Sequence, residues 1–219
     1  MSTAAARGFG WIAIVRLGLV QAAIGAIVML ATSLLNRVMV VEYALAAAIP
    51  AGLVAWHYAV QLARPLWGHG SDRGRKRTPW IGGGMAVLAG GALLAVRATT
   101  LMPGSALVGG VLAVAAFAMI GFGVGAAGTS MLALLASGVR PERRAAAAAV
   151  TWTMMIAGIV IAAGVAGALL DPFSEARLTA VAGSIALAAL GVALIAIWRL
   201  EPTNPVDFSD KHSSDAPGF

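Results

Sequence analysis

The stretch 56-WHYAVQLARPLWGHGSDRGRKRTPW-80 passes from apolar to strongly basic and back to apolar. Arg73, Arg75, Lys76 and Arg77 crowd into a Gly-rich turn, and long greasy runs stand on either side. The same alternation extends along the chain. Of its 219 residues 60% are hydrophobic and 11% are charged, whereas a soluble domain carries about 25% charged residues. Its charges sit in short clusters between apolar runs, and a run of about 18 or more apolar residues reads as a membrane span. The chain therefore reads as an all-α integral membrane protein. The runs are rich in Ala, Val, Leu and Gly without two-residue alternation, which favours helices over a membrane barrel.

Six spans are expected: Ile12–Leu35, Tyr43–Leu66, Trp80–Leu101, Ala106–Ala136, Ala145–Leu170 and Leu178–Trp198. Each offers the roughly 20 residues that cross a bilayer core at about 1.5 Å per residue. Residues 1–11 then form an N-terminal segment, 12–199 the six-helix domain, and 200–219 a polar, Pro/Ser/Asp-rich tail expected to be disordered. Arg7, the 73–77 cluster, Arg140, Arg143, Arg144, Arg199 and Lys211 fall on one side. Arg37, Arg97 and Arg177 fall singly on the other, with Glu42, Asp171 and Glu175. The richer side is the cytoplasmic one by the positive-inside bias, so both termini are expected inside. This bias also accounts for the net charge of +6 without nucleic acid. The N-terminus lacks a small-residue cleavage site and reads as retained.

The chain contains no cysteine, which excludes disulfides, thiolate chemistry and cysteine-held metals. No Ser/His/Asp set, Walker loop or pair of metal ligands at helical spacing stands out. The basic turn lacks the GK[ST] ending of a phosphate loop, so no enzyme is expected. Polar groups inside the spans are the better candidates, because burying them is costly. His57 lies in the second span between Trp56 and Tyr58, and Gln61 follows one turn later on the same face. A neutral imidazole so placed suits the magnesium of a chlorophyll-type pigment, with the aromatic neighbours on the macrocycle. The plainer reading is a hydrogen bond to a neighbouring helix. Gln21 is a further candidate in the first span, and no free metal is expected. Arg16 and Arg64 are placed to snorkel. Pro50 is a candidate kink, and Trp152 reads as core. Gly121 and Gly125 form a GxxxG pair suited to close helix packing.

The turn GHGSDRGRKR between the second and third spans resembles the loop motif of the major facilitator superfamily. Gly68, Asp72, Arg73, Lys76 and Arg77 match it, and Arg75 stands where that motif has Gly. The fuller wording is similar to the PucC/LhaA family, the so-called bacteriochlorophyll-delivery proteins of phototrophic bacteria. The stretches that carry the likeness are RLGLVQAAIGAIVMLATSLLNRVMVVE, WHYAVQLARPLWGHGSDRGRKRTPWIGGGMAVL, GVGAAGTSMLALLAS, PERRAAAAAVTWTMMIAGIV and GALLDPFSEARL.

The resemblance implies the N-terminal six-helix half of a twelve-span fold. It further implies a multi-pass protein of the bacterial inner, intracytoplasmic photosynthetic membrane. The function it implies is assembly of a light-harvesting or reaction-centre–antenna complex. Antenna polypeptides, the reaction centre and membrane lipids would be its partners, and bacteriochlorophyll, a carotenoid or lipid its cofactors. The alternative is a half-size transporter that dimerises, or pairs with a separate second half, to move a small amphipathic solute. A complete transport pathway forms between two halves, which one half alone does not line.

Overall fold

A computed structural model describes residues 8–63 and 76–201. Apolar chain in lipid must satisfy its backbone internally, and among the described residues all regular structure is helical. Six helices follow one another: α1 (Trp11–Glu42), α2 (Ala48–Gln61), α3 (Thr78–Leu101), α4 (Ala106–Gly138), α5 (Arg144–Leu169) and α6 (Glu175–Ile197). All but α2 are long and apolar enough to cross a membrane, as befits a multi-pass membrane protein. α2 has 14 residues and ends at Gln61, with Leu62 and Ala63 in a turn after it.

The first expected span ends too early. α1 continues past Leu35 to Glu42, because Asn36 and Arg37 carry nothing that stops a helix. It widens into five-residue π turns at Leu30–Leu34 and Val38–Glu42, on either side of a short α-helical piece, Leu35–Arg37. The break comes at Tyr43 (φ −105°) and Ala44, whose φ of 51° is left-handed. α2 accordingly starts at Ala48 rather than Tyr43. Pro50 then falls in the first turn of α2, where backbone N–H groups have no intrahelical partner, so the expected kink has no cause. Hydroxyl caps set two further starts. Ser105 accepts from Val108 N at 3.5 Å, and Ser174 accepts from Arg177 N at 3.2 Å.

Two glycine seams hold the bundle. Along α3 and α4, a Cβ at Gly84 would lie 2.6 Å from Ala127 N, and one at Gly123 would lie 2.6 Å from Leu88 N. Along α1 and α5, Gly158 abuts the Ala22 carbonyl, and a Cβ at Gly25 would lie 2.7 Å from the Met155 carbonyl. With no hydrophobic drive between helices in lipid, such approach is what gives their backbones contact. α6 packs on both α1 and α3. The core beneath includes Ile14, Leu17, Ile81, Met85, Leu88, Phe117 and Met131. α2 rests mainly on α4, and α5 mainly on α1.

Candidate functional site

The buried polar groups lie in separate seams. His57 is 1% exposed, and its Nε2 lies 2.8 Å from Gln61 Nε2, so the expected shared face is real and turned inward. That face meets α4 at Gly121, where a Cβ would sit 2.6 Å from the His57 carbonyl oxygen. Gly121 thus lets α2 approach, and Gly125 is buried on the same helix. Gln21 is elsewhere, in the α1–α5 seam. Its amide donates to Met155 Sδ at 3.3 Å, and its Oε1 has no hydrogen-bond partner among the described residues.

Trp56 and Tyr58 are 43% and 55% exposed, and the Tyr58 ring meets the His57 ring edge-on at 4.8 Å between centroids. The Trp56 indole donates to the Val114 carbonyl at 3.1 Å. Of the five residues singled out in the sequence, Tyr58 and Gln61 touch His57, Trp56 binds α4, and Gln21 lies apart. An axial bond to a pigment magnesium requires an imidazole nitrogen that faces a planar macrocycle. Here the ring is enclosed, one nitrogen is beside Gln61, and Nδ1 is buried. The arrangement does not fit that ligand role, and the bond that His57 makes with Gln61 lies within α2 rather than across to a neighbouring helix as expected.

The basic turn contributes differently. Gly68, Asp72 and Arg73 lie outside the described residues. Lys76 and Arg77 are described, and Arg77 clamps one end of the bundle. Its Nη1 donates to the Ala133 carbonyl at 2.8 Å and to Ser137 Oγ at 2.7 Å, both near the end of α4. Glu201 completes the clamp: its carboxylate accepts from Arg77 N at 2.7 Å, Thr78 N at 3.0 Å and Thr78 Oγ1 at 2.7 Å. A carboxylate so placed satisfies free N–H groups and sits favourably at the positive end of α3. Arg16 closes the ring by donating to the Ala196 carbonyl at 2.8 Å and to the Trp198 carbonyl, so this arginine binds the end of α6.

Sequence reasoning missed Glu201, which opens the segment read as a polar tail. Leu200 is buried and Glu201 is partly buried against α3, whereas 202–219 lie outside the described residues. The available signal was the pairing of an acid with an uncapped Arg-Thr-Pro helix start, and the two are 123 residues apart.

The opposite end carries Arg37, Glu42, Asp171, Glu175 and Arg177. Tyr43 donates from its hydroxyl to Glu175 Oε1 at 3.0 Å and stacks edge-on against Phe173 at 6.2 Å. Burial, then the hydrogen bond and charge of Glu175 and the charge of Glu42, push the Tyr43 phenol up to about 12.

The outer faces are apolar and open. α5 buries only Ala147, Thr151, Ala162 and Ala166. Trp152, expected in the core, is 50% exposed because the α1 seam uses the other side of α5. Ile156 and Val160 are exposed on the same side of the helix as Trp152, and Ile161 is exposed on the flank that faces α6. Nothing lies within 4 Å of a Cβ added at Gly164 or Gly167.

The chain's known relatives accord with this picture of a membrane bundle. The "Bacteriochlorophyll synthase 44.5 kDa chain" of Rhodobacter capsulatus is 53% identical over 195 residues, which cover 88% of this chain and 45% of that protein. "Protein PucC" of Cereibacter sphaeroides is 30% identical over 203 residues, or 87% of this chain and 44% of that protein. "Protein PucC" of Rhodobacter capsulatus is 30% identical over 218 residues, or 94% and 47%. The chain spans just under half the length of these curated relatives. The family model described as "PUCC protein" matches residues 34–218, so the likeness runs from the π-turned half of α1 through every later helix. The chain belongs to the PUCC protein family.

Proposed function

We propose that the chain is an assembly or accessory subunit of a bacterial light-harvesting or reaction-centre–antenna complex. On this reading it resides in the photosynthetic membrane and docks its outer helix faces against antenna helices. The observation that carries the proposal is the open face of α5, where Trp152, Ile156 and Val160 stand beside Gly164 with free space above it. Small residues with a few large apolar neighbours are what a second transmembrane helix packs against. The names of the relatives, which speak of PucC and of bacteriochlorophyll, supply the photosynthetic setting.

The role is non-enzymatic, although one relative's name speaks of a synthase. What supports this is the scatter of the buried polar groups among the described residues: an imidazole–amide pair, a second amide, and the hydroxyls of Thr99, Ser130 and Thr151. Acid–base or nucleophilic catalysis needs such groups within hydrogen-bond reach of one reacting centre. Bacteriochlorophyll handling, on this reading, belongs to the surface formed with the partner helices rather than to His57.

The test is affinity purification of the tagged chain from a photosynthetic membrane under mild detergent. Antenna polypeptides are expected to accompany the wild-type chain, and to be lost from Gly164→Leu while the bundle stays folded. Equal recovery with both chains, or none with either, would refute the docking face.

A further inference from the structure

α1 and α5 are pressed together where Gly25 and Gly158 meet the opposing backbones, and further along they splay apart. A cavity of about 650 Å³ opens between them at the Arg37 end, roofed by the turn before α6. Its walls hold Ser33, Arg37, Glu42 and Asp171 over a floor that includes Leu34 and Leu170. The α1 wall contains both π turns, and π turns in α-helices cluster at functional positions.

The charges in it are incompletely used. Arg37 and Glu42 approach to 3.6 Å, longer than a hydrogen bond, and the arginine side chain is 58% exposed. The Asp171 carboxylate makes no hydrogen bond or ion pair among the described residues, since Arg177 binds its backbone carbonyl instead. One guanidinium and two carboxylates thus share a pocket with an apolar floor. Glu175 and Arg177 on the neighbouring turn place this end at the level of the lipid headgroups.

We propose that this cavity binds the headgroup of a zwitterionic phospholipid bearing a primary amine, a phosphoethanolamine lipid. Arg37 takes the phosphate, for which a guanidinium fork is suited. Glu42 and Asp171 take the ammonium, which has three N–H donors. A trimethylammonium headgroup lacks those donors, and a purely anionic headgroup would meet two carboxylates for one arginine. The apolar floor receives the upper part of an acyl chain.

The probe is a set of vesicles that contain equal phosphoethanolamine, phosphocholine and phosphoglycerol lipids with identical acyl chains. The purified chain is equilibrated with them, and native mass spectrometry counts the lipids retained. The phosphoethanolamine lipid is expected to be held roughly tenfold over the phosphocholine lipid, the worth of about one charged hydrogen bond. Glu42→Gln with Asp171→Asn is expected to erase that preference, and Arg37→Gln to lower retention of both lipids. Gly167 lines the cavity and has open space at its Cβ, so Gly167→Leu fills the site without a clash and is expected to empty it at unchanged unfolding temperature. Equal retention of the three lipids, preference for the phosphoglycerol lipid, or undiminished retention by the Gly167→Leu chain would overturn the proposal. So would displacement of the lipid by an equal concentration of free phosphoethanolamine, which would make a soluble molecule the ligand.

Discussion

α4 and α5 are written in nearly the same alphabet, Ala, Gly, Val and Leu with a few large residues, yet they are used in opposite ways. On α4, Gly121 and Gly123 lie against the backbones of α2 and α3 with no room for a methyl group. On α5, only Gly158 does this; Gly164 faces open space, and Gly167 borders the cavity beside α1. Small residues therefore mark where a helix can be approached, not where it has been. The packed glycines explain how the bundle holds together, and Gly164 shows where another helix has room to lie.

The contrast can be broken most severely at the α3–α4 seam. Gly123→Leu would place side-chain atoms on the Leu88 amide and the Gly84 carbonyl, neither of which can move aside. Overpacking costs about 1–3 kcal/mol and more where backbone must shift. We expect a loss at or beyond the top of that range, read as a large fall in unfolding temperature in detergent. An unfolding temperature within a few degrees of wild type would show the seam to be looser than described.

His57→Leu comes next. It removes the partner of the Gln61 amide inside the α2–α4 contact and should cost about 1–3 kcal/mol of stability. The absorbance of any pigment that accompanies the purified chain should stay unchanged. A shifted or lost pigment band at normal stability would restore a ligand role for the imidazole.

Glu201→Gln weakens the clamp at the other end of the seam. Three donors lose a charged acceptor at the start of α3, at an expected cost of about 1 kcal/mol, measured by the same thermal scan. High salt should shrink the difference between the two chains, because a charge at a helix end is screened.

Tyr43 gives a smaller, pH-dependent effect. Its folded pKa is raised, so the stability it contributes is complete below its unfolded value of 10.0 and is lost as pH rises through about 12. The ultraviolet phenolate signal removed by Tyr43→Phe should titrate near the upper value. Titration near 10.0 would mean that the contact with Glu175 does not hold.

The smallest stability effect is expected at Gly164→Leu. Its Cβ meets nothing, so the stability should stay within about 0.5 kcal/mol of wild type. This substitution changes partner binding alone, which separates the open face from the packed one.

The helical membrane class and five of its long spans could be read directly, because in lipid a long apolar run leaves the backbone little choice. That His57 and Gln61 share a helix face was equally legible, since residues four apart do so, whereas their pairing with each other came from the structure. The overrun of α1 was not, because Asn36 and Arg37 look like an end while the π turns carry the helix on to Glu42. Trp152 was misplaced for a related reason. α5 is apolar all round, so its sequence contains no stripe to say which side is buried.

The sequence by itself determined that this chain is a membrane helix bundle with basic clusters at one end and glycines for close packing. Those properties reside in composition and local period, which solvent and backbone chemistry read directly. Only the tertiary structure decided which glycines are filled, that Glu201 caps a helix begun 123 residues earlier, and that α1 and α5 part to leave a charged cavity. These depend on which helices cross and where, and residues far apart in the chain set that together.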